Sequence, residues 1–366
     1  MSTLKLHDSL LAQTDAAAVV LREELVPVEG PEGVLFPPTY APGDGFPGGY
    51  NIDGDPAGKN VCLVDSVGSQ ANRIEPLFGG PGLEGLVPQV CIVAGDRRVS
   101  LLDAGHRAGD AIVRCSPLQE ELRVAFQALL RGDAEPLAKI APTSLVFGVW
   151  DSRDTQAKAP RLVTSTVRAY DVRKLTRSAQ YNPALDYVGQ GLLEDPTDKA
   201  TKQGYAERGF VHVPATATHG GVIASGGVRR EATLSLAALR MLKSAKGPER
   251  TLALQRYVLG LALVAITADV STYLRQGCNL VRRDESARTL TKVYANGKRE
   301  PFALDHATAV AFARAAAKEF GVEKNREVPF DKARAVLDLA GDAGKANGKK
   351  DVENGKKKAK GDKVKG

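Results

Sequence analysis

An α+β fold carrying large insertions is what this sequence predicts, and three observations carry that expectation. Stretches of strand character and stretches of helix character follow one another without the regular alternation of a doubly wound sheet. The most apolar run, Tyr257 to Ala268, suits a buried core helix and is shorter than the roughly 20 residues that span a bilayer. Thr176 to Gly209 is polar, carries Asn182-Pro183 and Asp195-Pro196, and holds no sustained period, which marks a long insertion.

Taken in order, Ser9 to Leu25 reads as the first helix, ended by Pro27. Gly30 to Gly58 is rich in Gly and Pro, densest at Pro37 to Tyr50 (PPTYAPGDGFPGGY), and predicts turns and loops. Val61 to Val64 fits a buried strand. Further strands are expected at Val90 to Ala94, Val99 to Leu102, Ser144 to Trp150, Leu162 to Tyr170 and Val222 to Arg229. Helices are expected at Gln119 to Leu130, Leu234 to Lys243, Glu249 to Ala268 and His306 to Phe320. The 366 residues suit one elaborated domain or two modest ones, and a single elaborated domain over 1–340 is the organisation expected here. Gly341 to Gly366, made largely of Lys, Gly, Asp and Asn, cannot bury an apolar face and is expected to be a disordered tail.

Charge sharpens this division. The chain carries +7, of which +5 sits in the last 26 residues, so the first 340 are nearly balanced. Global basicity is therefore no argument for a polyanion partner, and only local clusters can be. The body prefers Arg to Lys, 27 against 14; the planar guanidinium fork suits phosphate, and ordinary Arg usage in a GC-rich genome gives the same bias. The cysteines Cys62, Cys91, Cys115 and Cys278 form no C-x-x-C pair, and no His stands at zinc-ligand spacing from them. They read as buried thiols of a reducing cytoplasm, with no metal and no cofactor. The first 20 residues lack a basic start followed by an apolar run, so no secretory signal is expected.

Five segments could carry chemistry. In DSVGSQANRIEPLF, Asp65 to Phe78, helical spacing puts Val67, Ala71, Ile74 and Phe78 on one stripe and Ser66, Ser69, Gln70 and Arg73 on the opposite one. Pro76 should end the regular helix near Glu75, and Asp65 or Ser66 should cap its start. Hydroxyl, amide and guanidinium groups near a helix start suit phosphate oxygens, although an ordinary solvated face has the same look. In HRAGDAIVR, His106 and Arg107 stand near Asp110 without any nucleophile, which favours a structural Arg107–Asp110 pair. SLVFGVWDSR ends at Arg153, and the strand after it leads into Arg168, Arg173, Lys174 and Arg177, interleaved with Tyr170 and Tyr181. Such a mixture suits a single nucleic-acid strand through phosphate pairing and base stacking, although a plain solvated strand has the same pattern. In HGGVIASGGVRR, Gly220 and Gly221 fit either a hairpin or a close backbone approach to a ligand, and Arg229-Arg230 follows; no Walker loop or dinucleotide fingerprint is present. Around the Gly-Cys turn of LRQGCNLVRR, Arg275 is the first of three arginines, and Cys278 has no local base to activate it.

Together, and in this order, DSVGSQANRIE, HRAGDA, SLVFGVWDSR, GGVIASGGVRR with LSLAALR, and YVLGLALVA with LRQGCNL resemble the Csb-type RAMP protein family, the Cas-seven-type backbone subunits of type I-G (formerly I-U) CRISPR systems. PPTYA, Pro37 to Ala41, resembles the family's N-terminal signature. The likeness runs from about Leu25 to Arg283. It implies an RNA-recognition (ferredoxin-like) core whose insertions form a hand-like shape. It also implies several copies stacked along one crRNA that stays exposed to pair with target DNA, alongside other Cas subunits, in the cytoplasm and away from any membrane. The helix stripe Ser66, Ser69, Gln70 and Arg73 would lie on the RNA backbone. Arg168, Arg173 and Lys174 would bind phosphate near the insertion, and Thr176 to Gly209 would be the thumb. Gly220 and Gly221 would let the backbone come close, with charge from Arg229 and Arg230. His106, Arg107, Arg153 and Arg275 complete the expected RNA-binding set. A rival expectation is a metal-independent endoribonuclease working through His106 or His219. A second rival is a scaffold that binds other Cas proteins and little RNA.

Overall fold

The computed structural model describes residues 7–340 apart from 57 and 270, and the structural statements below concern those residues. The expected tail at Gly341 to Gly366 lies outside them. Helix α1 (Asp8–Ala12) leads into the long strand β1 (Ala16–Pro27), followed by short β2 (Thr39–Tyr40), β3 (Gly49–Tyr50) and β4 (Ile52–Gly54). After them come β5 (Asn60–Asp65), α2 (Val67–Ile74), β6 (Val90–Ala94) and β7 (Arg97–Ser100). A helical stretch follows: α3 (Ala111–Arg114), α4 (Leu118–Leu130), α5 (Glu135–Ile140) and α6 (Pro142–Phe147). Then come β8 (Val149–Trp150), β9 (Lys158–Ala159), β10 (Val163–Tyr170), β11 (Val172–Tyr181), α7 (Lys199–Glu207), β12 (Val213–Ala224) and β13 (Val228–Ser235). The rest is α8 (Leu236–Arg240), α9 (Pro248–Thr267), β14 (Tyr273–Arg275), β15 (Cys278–Arg282), β16 (Arg288–Tyr294), β17 (Arg299–Pro301), α10 (His306–Phe320) and β18 (Arg326–Pro329). With 34% helix and 29% strand, the mixed α+β class holds.

The main sheet has nine antiparallel strands curled into a half-barrel, in the order β14-β15-β1-β13-β10-β5-β4, with β16 also on β1 and β17 on β16. Period-two alternation gives it two faces. Val19 and Leu21 of β1, Val163 of β10, and Ala232 and Leu234 of β13 are buried in one core with α9. The other face carries Arg22, Glu24, Thr164, Arg168, Tyr170, Arg229 and Glu231, and is laced by Arg22–Glu231 at 2.8 Å and Arg229–Glu24 at 3.2 Å. The core helix α9 is long and apolar enough by length and composition to cross a membrane, yet 78% of that stretch is buried within the chain. It crosses α10 closely because Gly260 has no side chain: a Cβ there would stand 2.8 Å from the Ala313 Cα. Tyr257 stacks on Phe320 at 4.6 Å and donates its hydroxyl to the Leu86 carbonyl at 2.8 Å.

Several expected elements differ. Val222 to Arg229 is not one strand but the end of β12, a turn at 225–227 and the start of β13, and the expected strand at Val99 to Leu102 leaves β7 at Ser100 for a 3-10 turn. Ser9 to Leu25 is mostly strand β1, because pairing with β13, β15 and β16 overrides the helix-forming Ala, Leu and Glu of its sequence. Ser144 to Trp150 is mainly helix: α6 has Pro142 at its first turn and stops at Gly148, whose φ of 82° a side chain would resist. Leu234 to Lys243 begins as strand, and Ser235 then caps α8 by accepting from the Ala238 amide at 3.2 Å. The helix at Asp65 to Phe78 forms as expected, regular to Ile74 and 3-10 from Glu75, with Ser66 as its cap. The expected thumb segment is framed by a separate two-stranded ribbon, β11 with β12, so the insertion is wider than Thr176 to Gly209. It is not structureless: α7 lies within it, and Phe210 meets Tyr187 edge-on at 5.3 Å.

Candidate nucleic-acid interface

The α2 stripe is organised by an acid. Asp65, fully buried at the end of β5, accepts from Ser69 Oγ at 2.8 Å, Gln70 Nε2 at 2.7 Å, Arg73 Nε at 3.1 Å and Arg275 Nη2 at 3.0 Å. Arg73 also donates to the Leu274 carbonyl at 2.7 Å and Arg275 to the Val64 carbonyl at 2.8 Å. Two guanidinium groups against one carboxylate leave a net positive site. Both remain about a quarter exposed, 27% and 25% by side chain. Tyr40, from the Gly- and Pro-rich segment, stands beside them: burial pushes its phenol up against the pull of Arg275.

Gln70 does not face outward as its stripe position suggested. It is fully buried and heads a relay under the sheet. Its Oε1 accepts from Ser165 Oγ at 2.8 Å, Ser165 Oγ accepts from Arg230 Nε at 3.1 Å, and Arg230 Nη1 donates to Glu23 at 2.9 Å. Arg230 is 3% exposed, so it is an interior ion-pair residue, not a surface cation. Arg107 is likewise interior, and its partner is Glu75 at 2.6 Å instead of Asp110. Asp110 turns to its own loop, accepting from the His106 and Ile112 amides at 3.1 and 3.2 Å. Burial pushes Glu75 up to about 7, against the pull of Arg107.

Gly220 and Gly221 do mark a close approach, but to the chain itself. A Cβ on Gly220 would lie 2.7 Å from the Thr176 carbonyl carbon, and one on Gly221 would lie 2.7 Å from the Leu35 oxygen. His219 packs on Tyr50 with ring centres 4.9 Å apart.

The other expected cations are at the surface or partly so. Arg173 and Lys174 are exposed at the root of the ribbon, and the Arg177 guanidinium lies 5.7 Å from the Phe36 ring centre. On the open sheet face Arg168 donates to Thr166 Oγ1 at 2.7 Å, and Arg229 lies 4.5 Å over the Tyr170 ring. Ser66, His106 and Arg153 sit at intermediate, exposed and exposed positions. Sequence reading missed Asp65 as the organiser, although Ser69, Gln70 and Arg73 lie within eight residues of it; it also missed Glu23, Ser165 and Glu75, whose partners on other elements leave no local signal. All four cysteines are free thiols, and burial pushes Cys62 up to about 12 and Cys278 up to about 11. Among the described residues no cluster of His, Cys, Asp and Glu is placed to hold a metal ion.

Residues 19–174 match the family model described as CRISPR-associated protein GSU0053. The matched stretch runs from β1 to the root of the ribbon and contains Asp65, Arg73, His106 and Arg168. It supports a role for the chain as a CRISPR-associated protein. No curated protein matches the chain.

Proposed function

We propose that this chain is a crRNA-binding backbone subunit of a type I CRISPR effector complex, of the type I-G kind, stacking in several copies along the guide and presenting it to target DNA. The observation that carries the reading is a juxtaposition of Asp65 and Arg73, inside the family match, with Arg275 and the ribbon beyond it. A net-positive Asp65–Arg73–Arg275 site at the foot of α2 shares its sheet with β10, the strand that runs straight into the basic root of the β11–β12 ribbon. The connectivity is consistent with it. Strand β1, a helical stretch, the β10–β13 pair, α9 and then β15 or β16 follow in sequence and lie in the order β15/β16-β1-β13-β10, all antiparallel. That order supports the reading of a ferredoxin-like βαββαβ core, with the ribbon between β10 and β13 as its thumb. Backbone contacts of this kind read shape and charge and leave sequence to base pairing.

A binding role in the cytoplasm, in contact with crRNA, further copies of the chain and other Cas subunits, follows from this reading. His219, packed on Tyr50, suits structure better than acid–base chemistry. The test is expression with a CRISPR array. The purified chain should carry RNA of defined length, and unguided RNA should bind with a log–log salt slope that grows by roughly 0.7 per phosphate contact. Protein free of RNA, or site-specific cleavage of precursor RNA in EDTA lost on His106→Ala, would sink the reading.

A further inference from the structure

A cleft of about 580 Å³ lies between the 105–109 turn, β8 and β9, outside the Asp65 site. Trp150, the single tryptophan of the chain, lines it with 52% of its surface exposed. Lys158 places its ammonium 4.2 Å over the indole. Arg161 has no ion pair or hydrogen bond among the described residues, and both partial burial and the charge of Arg107 act on it. His106 is exposed at the opposite wall.

Two glycines set this geometry. Gly148 has φ 82°, and a Cβ there would stand 2.6 Å from the Arg161 Cγ, so its bare backbone gives the arginine stem its seat. A Cβ on Gly109 would lie 2.9 Å from the Trp150 carbonyl oxygen, which fixes the width between the walls. The nearby carboxylates are engaged elsewhere. Glu75 faces Arg107, Asp151 accepts from the Thr155 amide and hydroxyl at 2.8 and 2.6 Å, and Asp154 pairs with Arg123 at 3.2 Å. What remains is a flat aromatic wall beside cations that lack counter-ions, a combination that fits a planar base attached to a phosphate.

We propose that the Trp150 cleft holds one unpaired nucleotide, its base stacked on the indole in place of the Lys158 ammonium, which swings aside to hold the phosphate with Arg161. This rests on the reading of the chain as a single-strand binder, and the nucleotide belongs to guide or target strand. Because Trp150 is the only tryptophan, intrinsic fluorescence reports on this cleft alone.

The experiment titrates RNA-free full-length protein with a hexameric RNA and a hexameric DNA of the same sequence, following both tryptophan emission and probe anisotropy. Quenching that saturates with the anisotropy is expected, and the strand that quenches at lower concentration identifies the source. Trp150→Ala should weaken hexamer binding, read by anisotropy, by about five- to a hundredfold. Arg161→Ala should reduce the salt slope by roughly 0.7 with an unchanged melt. Anisotropy that rises while tryptophan emission stays flat would overturn the cleft and leave the wider reading standing. No binding by either signal would overturn both. Emission that changes with protein concentration alone would assign the cleft to a second copy of the chain and overturn the proposal.

Discussion

Arg73 and Ile74 are neighbours in sequence with opposite duties. Ile74 is 1% exposed in the main core, so Ile74→Ala should cost about 2–5 kcal/mol and lower the melting temperature sharply. Arg73 shares Asp65 with Arg275, and its removal leaves that carboxylate one guanidinium and two neutral donors. Because Arg73 is partly exposed, Arg73→Ala should cost on the order of 1 kcal/mol and, on the proposed function, weaken RNA binding by roughly 1.5–3 kcal/mol. Thermal melts beside RNA-binding curves separate the two, and a large loss of stability in Arg73→Ala would return the residue to pure structure. The anchoring stripe was readable from spacing. The fate of Gln70 was not, since a period of 3.6 says which residues share a face and not which distant Ser165 will meet them. Thiols offer a simpler check: with Cys62 and Cys278 held as neutral thiols by burial, alkylation at neutral pH should leave both unmodified until the protein unfolds.

At the scale of elements, the α2 extension adds a pH dependence. Glu75 begins its 3-10 turn with a carboxyl raised from the ordinary 4.5 to about 7. A raised acid binds its proton more tightly folded than unfolded, so its stabilising contribution is complete below about 4.5 and is lost as pH rises through about 7. Melts between pH 5 and 8 should therefore fall by on the order of 1–3 kcal/mol from this group, and Glu75→Gln should flatten that stretch. The ribbon makes a separate prediction. Replacing Arg173 and Lys174 together by Ala should leave the melt unchanged, because both are exposed, and should lower the RNA salt slope by about 1.4. Helices α4, α9 and α10 were legible because long apolar periods tolerate few alternatives. The short apolar run at Ser144 to Trp150 was ambiguous between strand and helix, and β1 was decided by partners that no local window contains.

For the whole molecule, the excess of charge in the last 26 residues separates non-specific attraction from assembly. Deleting Gly341 to Gly366 should reduce affinity for arbitrary RNA mainly at low salt and leave complex formation intact. Sedimentation of the assembled complex with and without the tail checks this, and loss of assembly would refute it. The mixed α+β class was legible in strand and helix stretches that follow one another without regular alternation. The charge network that ties the centre of the molecule together was not, because Glu23 meets Arg230, Arg282 and Arg288 only after the sheet has formed.

Strand β1 pairs on one edge with β13 and on the other with β15 and β16, so every partner it has in the main sheet emerges more than 200 residues after it. A ribosome adding 5–20 residues per second leaves that apolar strand waiting roughly 10–40 s for its first neighbour. During synthesis, then, Val19 and Leu21 form an open adhesive edge that folding alone cannot yet cover. Nascent chains halted before residue 228 should be cut by protease within β1 and should recruit holdase chaperones, whereas chains released after β16 should resist both.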